Sequence, residues 1–452
     1  AQVEREAFQE VDFRRMYGPL SKWVAQIDDA ARIPELVSQA FHRAVAGRPG
    51  PVVLALPEDM LTDTADVPDA GPYKIVQAHP GAADLAQLRA MLVEAKRPFM
   101  LVGGGGWNAQ AVADVRAFAE ANDLPVGASF RCQDLYDNTA PNYAGDVAIG
   151  INPKLAERVK TCDLLLVVGA RLGEMTTSGY SLVGIPVPQQ RLVHVHPGAE
   201  ELGRVYQAAL PINAGMPQFA AAARAIAPVD SSAWRDWARA ARADYLENLK
   251  HPQIPGPLQM GEIMAWLRRR LPADAIITNG AGNYTTWAHR FYQYRAFRTQ
   301  LAPTSGAMGY GVPAAVAAKA VHPDRIVVSF NGDGCFLMNG QELATAVQYG
   351  LAVIFLVINN GMYGTIRMHQ EREYPGRTVA TDLVNPDFAA LARAYGAMGE
   401  TVTTTAEFAP AFERALAAGK PALLELKLDP EAITPRMSLS QFRENAIKAK
   451  AR

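Results

Sequence analysis

The stretch "RIVVSFNGDGCFLMNGQELATAVQYGLAVIFLVINNG" (residues 325–361) decides the fold. It opens on an apolar run, "RIVVSF", which reads as a strand ending at Asn331. "NGQELATAVQYG" (339–350) reads as a helix, with Asn339 as cap, Glu342 three residues on and Gly350 closing it. "AVIFLVI" (352–358) is the next strand and runs into Asn359-Asn360. A strand–helix–strand unit crosses over right-handed and leaves its two strands parallel. Parallel strands end at one edge, so Asp333 and Asn360, 27 residues apart, project from the carboxyl edge where α/β sheets bind ligands. An aspartate between two glycines is poor strand material, and a tight turn is its bland reading. The functional reading is an oxygen-only half-cage of carboxylate, amide oxygen and a nearby backbone carbonyl, which suits Mg²⁺. Glycines on both sides let backbone N–H groups approach an anion closely.

Outward from this unit the same alternation repeats. "PVVLALP" (51–57), "PFMLVGGGG" (98–106), "DLLLVVGA" (163–170), "RLVHVHP" (191–197) and "AIITNGAG" (275–282) are apolar, β-rich runs. Alanine-rich helical stretches such as "DLAQLRAMLVEA" and "PAAVAAKAV" lie between them. Continuous Val/Ile/Leu strands spaced by helices predict parallel sheets covered on both faces. Pro- and Gly-rich breaks at 67–83 and 227–259 divide the chain into α/β units over 1–75, 80–228 and 257–430, with a polar, helical tail at 431–452. Three doubly wound domains agree with a length of 452 residues, at about 150 per domain. Lys and Arg (44) nearly balance Asp and Glu (45), so no global field points to nucleic acid or an anionic membrane. The longest apolar run, "LAVIFLVI", falls far short of the roughly 20 residues of a membrane span. Cys132, Cys162 and Cys335 are odd in number and lack C-x-x-C spacing, which favours reduced thiols and a cytoplasmic setting. The start, "AQVEREAFQEVDFRR", has no Met and begins in mid-pattern, so the first unit is expected to lack its N-terminal half.

G-D-G followed by the second Asn of N-N resembles the thiamine diphosphate signature, and the chain is similar to the family of acetolactate synthase, benzoylformate decarboxylase and pyruvate oxidase. "GRPGPVVLALPEDM" (47–60) resembles the end of that family's pyrimidine-binding domain, "DLLLVVGARL" its central domain, and "SGAMGYGVPAA" (305–315) its diphosphate domain. The resemblance implies a thiamine diphosphate- and Mg²⁺-dependent lyase or carboligase that decarboxylates a 2-oxo acid and then forms a carbon–carbon bond. It implies Asp333, Asn360 and the Met362 carbonyl as metal ligands. It places Met308 under the bend of the cofactor and the Gly306 carbonyl at its amino group. Gly332, Gly334, Cys335, Gly364 and Asn283 complete the implied cofactor set. Gln9, in "AFQE", matches a position near the reacting centre. His369, in "MHQ", stands where the synthases carry a Trp, and a histidine there can transfer protons near neutral pH. The bland reading of His369, a surface side chain, carries equal weight. The family's activating glutamate is not identifiable in this sequence. Sites shared between subunits imply a homodimer or a dimer of dimers.

"GNYTTW" (282–287) replaces the synthases' "GQHQMW", and "GARLGE" departs from the flavin-binding "GARFDDR", which argues against FAD. The glycine run "VGGGGWN" (102–108) is not a clean G-x-G-x-x-G. "VHVH" (193–196) puts two histidines on one strand face, but with no third ligand near it is a structural feature. A simple decarboxylase of the benzoylformate type, a flavin-linked oxidase and a non-catalytic cofactor-binding subunit are the alternatives.

Overall fold

A computed structural model describes residues 4–451, so "AQV" at the start and Arg452 lie outside it. Strands β1 (Trp23–Gln26) and β2 (Val52–Ala55) pair in parallel, followed in sequence by two six-stranded sheets. The middle sheet contains β3 (Pro98–Val102), β4 (Val126–Ser129), β5 (Tyr143–Val147), β6 (Leu164–Val168), β7 (Arg191–His196) and β8 (Leu210–Asn213), in the order 5-4-3-6-7-8. The last sheet contains β9 (Ile276–Asn279), β10 (Gln300–Leu301), β11 (Val327–Gly332), β12 (Val353–Asn359), β13 (Met398–Val402) and β14 (Ala422–Lys427), in the order 10-9-11-12-14-13. Every recorded pairing in both is parallel. Each apolar run quoted above supplies one of these strands. β3, β6 and β12 are buried along their whole length, the consequence of helices on both faces.

The winding reverses between β3 and β6 in the middle sheet and between β9 and β11 in the last. Crevices form at such switch points, beyond the carboxyl ends of the strands. β11 and β12 register Val327 with Val353 through Gly332 with Ile358, which brings the turns after both strands to one edge.

Two local expectations change. The chain does not loop from β11 to a helix capped by Asn339. It enters a helix at once, Asp333–Asn339, and a second helix, Glu342–Gln348, follows after a break at Gly340. The break has a packing cause: a Cβ on Gly340 would lie 2.7 Å from the fully buried Phe336 ring. Asn339 instead donates from Nδ2 to Gly309 O, 3.0 Å away. The Pro- and Gly-rich stretch after 227 also contains a helix, Arg235–Asn248, which buries Tyr245 against Tyr143 of β5. The tail forms a helix, Leu439–Lys450, capped by Ser438 and held by Arg443 Nε donating to the buried Glu371 at 2.7 Å.

Cys132, Cys162 and Cys335 are unpaired. The histidines of "VHVH" serve the fold: His194 Nε2 donates to Ala170 O at 3.0 Å, and His196 Nδ1 accepts from Gly198 N–H at 3.1 Å. Among the described residues no three His, Cys, Asp or Glu side chains gather, and no helix is long and apolar enough to cross a membrane.

Candidate active site

A cavity of about 250 Å³ opens at the carboxyl ends of β9, β11 and β12. Its lining includes Asn283, Gly306, Met308, Gly332, Asp333, Gly334, Cys335, Asn360, Met362 and Gly364, which brings together every residue expected to touch the cofactor.

Asp333 begins its helix at the end of β11 and is 3% exposed. Its Oδ1 accepts from Gly334 N–H at 2.9 Å, while Oδ2 accepts from Gly361 N–H at 2.9 Å and from Asn385 Nδ2 at 2.8 Å. Burial pushes the carboxyl above the usual aspartate range, and these donors oppose that push. An ionised carboxylate has about four acceptor sites, so Oδ1 retains capacity for a cation. The two asparagines at the end of β12 face different ways. Asn359 donates to Glu425 Oε1 at 2.7 Å, whereas Asn360 lines the cavity. The Met362 carbonyl accepts from Gly364 N–H at 2.9 Å and has a second lone pair. These are hard oxygen donors, a set that fits Mg²⁺.

The glycines make room for this cradle. A Cβ on Gly332 would sit 2.8 Å from the Tyr284 ring, and one on Gly334 would sit 2.6 Å from the Tyr363 ring. Gly306, at φ +75, has only open space where its Cβ would point. Two contacts anchor the Gly306–Gly309 loop that carries Met308: Gly309 N–H donates to Cys335 Sγ at 3.1 Å, and Gly309 O accepts from Asn339. A cradle of small residues, a cation-ready carboxylate and an apolar side chain facing them fits a bent, diphosphate-bearing cofactor.

The other two candidates lie elsewhere. Gln9 is exposed, with φ +63, on the N-terminal segment. His369 is exposed on the helix Gly364–Glu373, whose Thr365 and Ile366 line the cavity. Its Nδ1 accepts from Arg372 at 2.8 Å, and partial burial followed by the Arg372 charge lowers its proton affinity.

Sequence reasoning missed Tyr284 and Asn385. Tyr284 packs on the glycines and donates to Cys335 Sγ at 3.2 Å while accepting from Gly280 N–H at 3.1 Å. Its only signal was the departure "GNYTTW". Asn385 arrives because Gly361–Tyr363 and Thr381–Leu383 pair antiparallel, through Tyr363 N–H to Thr381 O and Leu383 N–H to Gly361 O, both 2.8 Å. Its Nδ2 then bridges Asp333 Oδ2 and Asn359 Oδ1.

Comparison with known proteins agrees with this geometry. Residues 85–223 match the model of the thiamine pyrophosphate enzyme central domain, and residues 280–426 match that of the C-terminal TPP binding domain. The acetolactate synthase large subunit of Corynebacterium glutamicum is 31% identical over 428 residues, 91% of this chain and 67% of that protein. The acetolactate synthase isozyme 2 large subunit of Escherichia coli is 28% identical over 434 residues, 94% of this chain and 77% of that protein. For the acetolactate synthase large subunit of Parasynechococcus marenigrum the figures are 30% over 414 residues, 89% and 66%. The chain thus spans about two thirds to three quarters of these relatives. It belongs to the thiamine pyrophosphate-dependent enzyme family, among its acetolactate synthase-like members.

Proposed function

We propose that the protein binds thiamine diphosphate through Mg²⁺ held by Asp333, Asn360 and the Met362 carbonyl, and uses it to decarboxylate a 2-oxo acid and join the product to a second carbonyl compound. The observation that carries this reading is the meeting of the Gly332–Gly334 turn, Asn360, Met362 and Met308 in one cavity. The bound cofactor supplies the carbon nucleophile and the sink for the electron pair released with CO₂. The chain's own residues supply position and environment. Gly332 and Gly334 let backbone come close to phosphate oxygens. Met308, Ile358, Leu428 and Ile433 give an apolar wall that excludes water and favours loss of the carboxylate charge. Asn283 holds a polar corner beside Thr365, whose Oγ1 accepts from Asn283 N–H at 2.9 Å.

Tyr310, Leu337, Met338, Ile366 and Val384 are exposed apolar residues from the segments that build the cavity. They support a homodimer, or a dimer of dimers, in which a second copy covers this face and brings Gln9 to the site. Unpaired cysteines fit a cytoplasmic enzyme.

Calorimetric titration with thiamine diphosphate tests the binding step, and uptake that ignores Mg²⁺ overturns the ligand set. Product analysis with pyruvate, 2-oxobutanoate, benzoylformate and oxalyl-CoA tests the chemistry. Acetolactate supports the synthase reading, and aldehyde alone supports a simple decarboxylase.

A further inference from the structure

A second cavity, of about 350 Å³, lies beside the first and shares Asn283 with it. Its walls include residues of β5 and the turn after it, the helix Thr285–Phe291 and the segment 434–442. Arg290 and Arg436 line it. Arg290 is half-buried and donates from Nε to Asn248 O at 2.9 Å. Arg436, at the mouth, donates from one terminal nitrogen to Gly150 O at 3.1 Å and Ile151 O at 2.9 Å. These carbonyl contacts fix both guanidinium groups in place without neutralising them. Among the described residues neither forms an ion pair, whereas Arg372, on the same wall, is committed to Glu373 at 2.9 Å. The pair is frustrated: burial, then the charge of Arg436, holds the Arg290 guanidinium down to about 10.

A cation drawn partly out of water without a counter-charge is unfavourable, and a carboxylate relieves it with two charge-assisted hydrogen bonds. Guanidinium suits a carboxylate better than an ammonium does because its planar fork matches the two oxygens. The cavity has one further unsatisfied polar atom, Asp146 Oδ1, buried and without a partner. Burial pushes the Asp146 carboxyl well above its usual range, which lessens its repulsion of an anion in the cavity.

We propose that Arg290 and Arg436 bind the distal carboxylate of a 2-oxo dicarboxylic acid whose reacting carbonyl lies in the first cavity. The assignment rests on the 2-oxo acid reading of that first cavity and adds the substrate's second charge. Monoanionic 2-oxo acids leave both guanidinium groups as they stand in the free protein and forgo this contribution to binding.

The test is calorimetric titration of the protein, loaded with thiamine diphosphate and Mg²⁺, with 2-oxoglutarate and with 2-oxohexanoate, which carries an alkyl end in place of the second carboxylate. Charge-assisted hydrogen bonds to two guanidinium groups give 2-oxoglutarate an advantage of about ten- to a hundredfold in Kd. Arg290→Gln and Arg436→Gln each bring that ratio close to unity. Arg270→Gln, which removes a surface arginine paired with Glu413, leaves the ratio as it is. Equal affinity for the two acids in the unmodified protein overturns the proposal without recourse to any variant, as does a preserved preference in a folded Arg290→Gln protein. The loading step reports on the first cavity by itself, so cofactor uptake without tail preference overturns only this inference.

Discussion

At the switch point of the middle sheet, between β3 and β6, a run of glycines meets a tryptophan. At that of the last sheet, between β9 and β11, two glycines flank an acid. In the middle sheet a Cβ on Gly104 would lie 1.9 Å from Gly169 O, and one on Gly103 would lie 2.9 Å from the Ala170 Cβ, so those glycines serve close strand packing. The Trp107 indole closes the crevice, donating from Nε1 to Gly103 O at 2.8 Å with 6% of the residue exposed. In the last sheet the glycines press instead on Tyr284 and Tyr363, side chains that line an open cavity. One winding pattern therefore yields a packed joint where an apolar wedge follows the glycines, and an open crevice where a carboxylate does. Fold alone does not make a site.

The sharpest way to break this contrast is to remove the acid. Under the proposed ligand set, Asp333→Ala leaves the Asn360 amide and the Met362 carbonyl to hold the cation. Mg²⁺-dependent uptake of thiamine diphosphate then falls beyond about a thousandfold, since even outer-shell partners are worth 10- to 100-fold. Near-normal cofactor affinity by calorimetry contradicts the role given to this crevice. Trp107→Ala attacks the other switch point. It empties a buried indole site and costs about 3–5 kcal/mol of stability, read from denaturant unfolding. Cofactor affinity in the folded variant stays as it was. A loss of affinity matching the loss at Asp333 erases the distinction between the two crevices.

A smaller effect probes the joint between the sheets. Asp134, after β4, accepts at Oδ2 from Thr299 N–H at 3.1 Å and Gln300 N–H at 3.2 Å, at the edge strand of the last sheet. Burial pushes its carboxyl up to about 6. An unfolded aspartate titrates near 3.9, so the folded state holds this proton more tightly. Stability is therefore greatest below about pH 4 for this group, falls as pH rises to about 6, and stays lower above by up to about 3 kcal/mol. Asp134→Asn accepts the same two N–H groups without the charge. Melts of both proteins across that window diverge toward neutral pH, with the variant the more stable. Parallel profiles show that Asp134 is hydrated and that the joint is looser than the contacts indicate.

How far the sequence carries follows the same division. The convergence of Asp333, Asn360 and Met362 on one cavity was legible because these residues sit at or just after the ends of strands whose apolar runs are unmistakable, so topology alone brings them together. β4 ("VGAS") and β5 ("YAGDV") were not, because glycine and aspartate dilute the strand signal and only burial between helices stabilises them. The cap assigned to Asn339 failed because a buried ring, Phe336, moved the helix break to Gly340, and no local pattern reports a packing partner. The glycine run at 103–106 leads into Trp107, whose buried indole turns back on Gly103 O, a contact that no local pattern announces. His369 was placed by alignment with a Trp position, but its helix turns Thr365 and Ile366 toward the cavity and leaves His369 in solvent.

Asn385 is the case that no reading of the sequence reaches, because its partner Asp333 is 52 residues away and the segment between them returns through an irregular loop. One amide ties the Asp333 carboxylate, the Asn359 side chain and the 381–385 segment together, and its own Oδ1 is buried without a partner. Asn385 fixes the Oδ2 side of the Asp333 carboxylate, and if Asp333 is a metal ligand as proposed, Asn385 would act as the outer-shell partner that orients it. Asn385→Ala therefore weakens Mn²⁺ binding, read by electron paramagnetic resonance as a Mg²⁺ surrogate, by about 10- to 100-fold. Asn385→Asp lowers it too, since an acceptor-only carboxylate cannot donate to Asp333 Oδ2 and repels it. Asn385→Gln, which keeps the donor at longer reach, recovers part of the affinity, an outcome that a purely structural role in the loop does not produce. Unchanged ion affinity in the alanine variant, alongside a lowered melting temperature, would reduce Asn385 to a loop tether and leave the open crevice to depend on Asp333 alone.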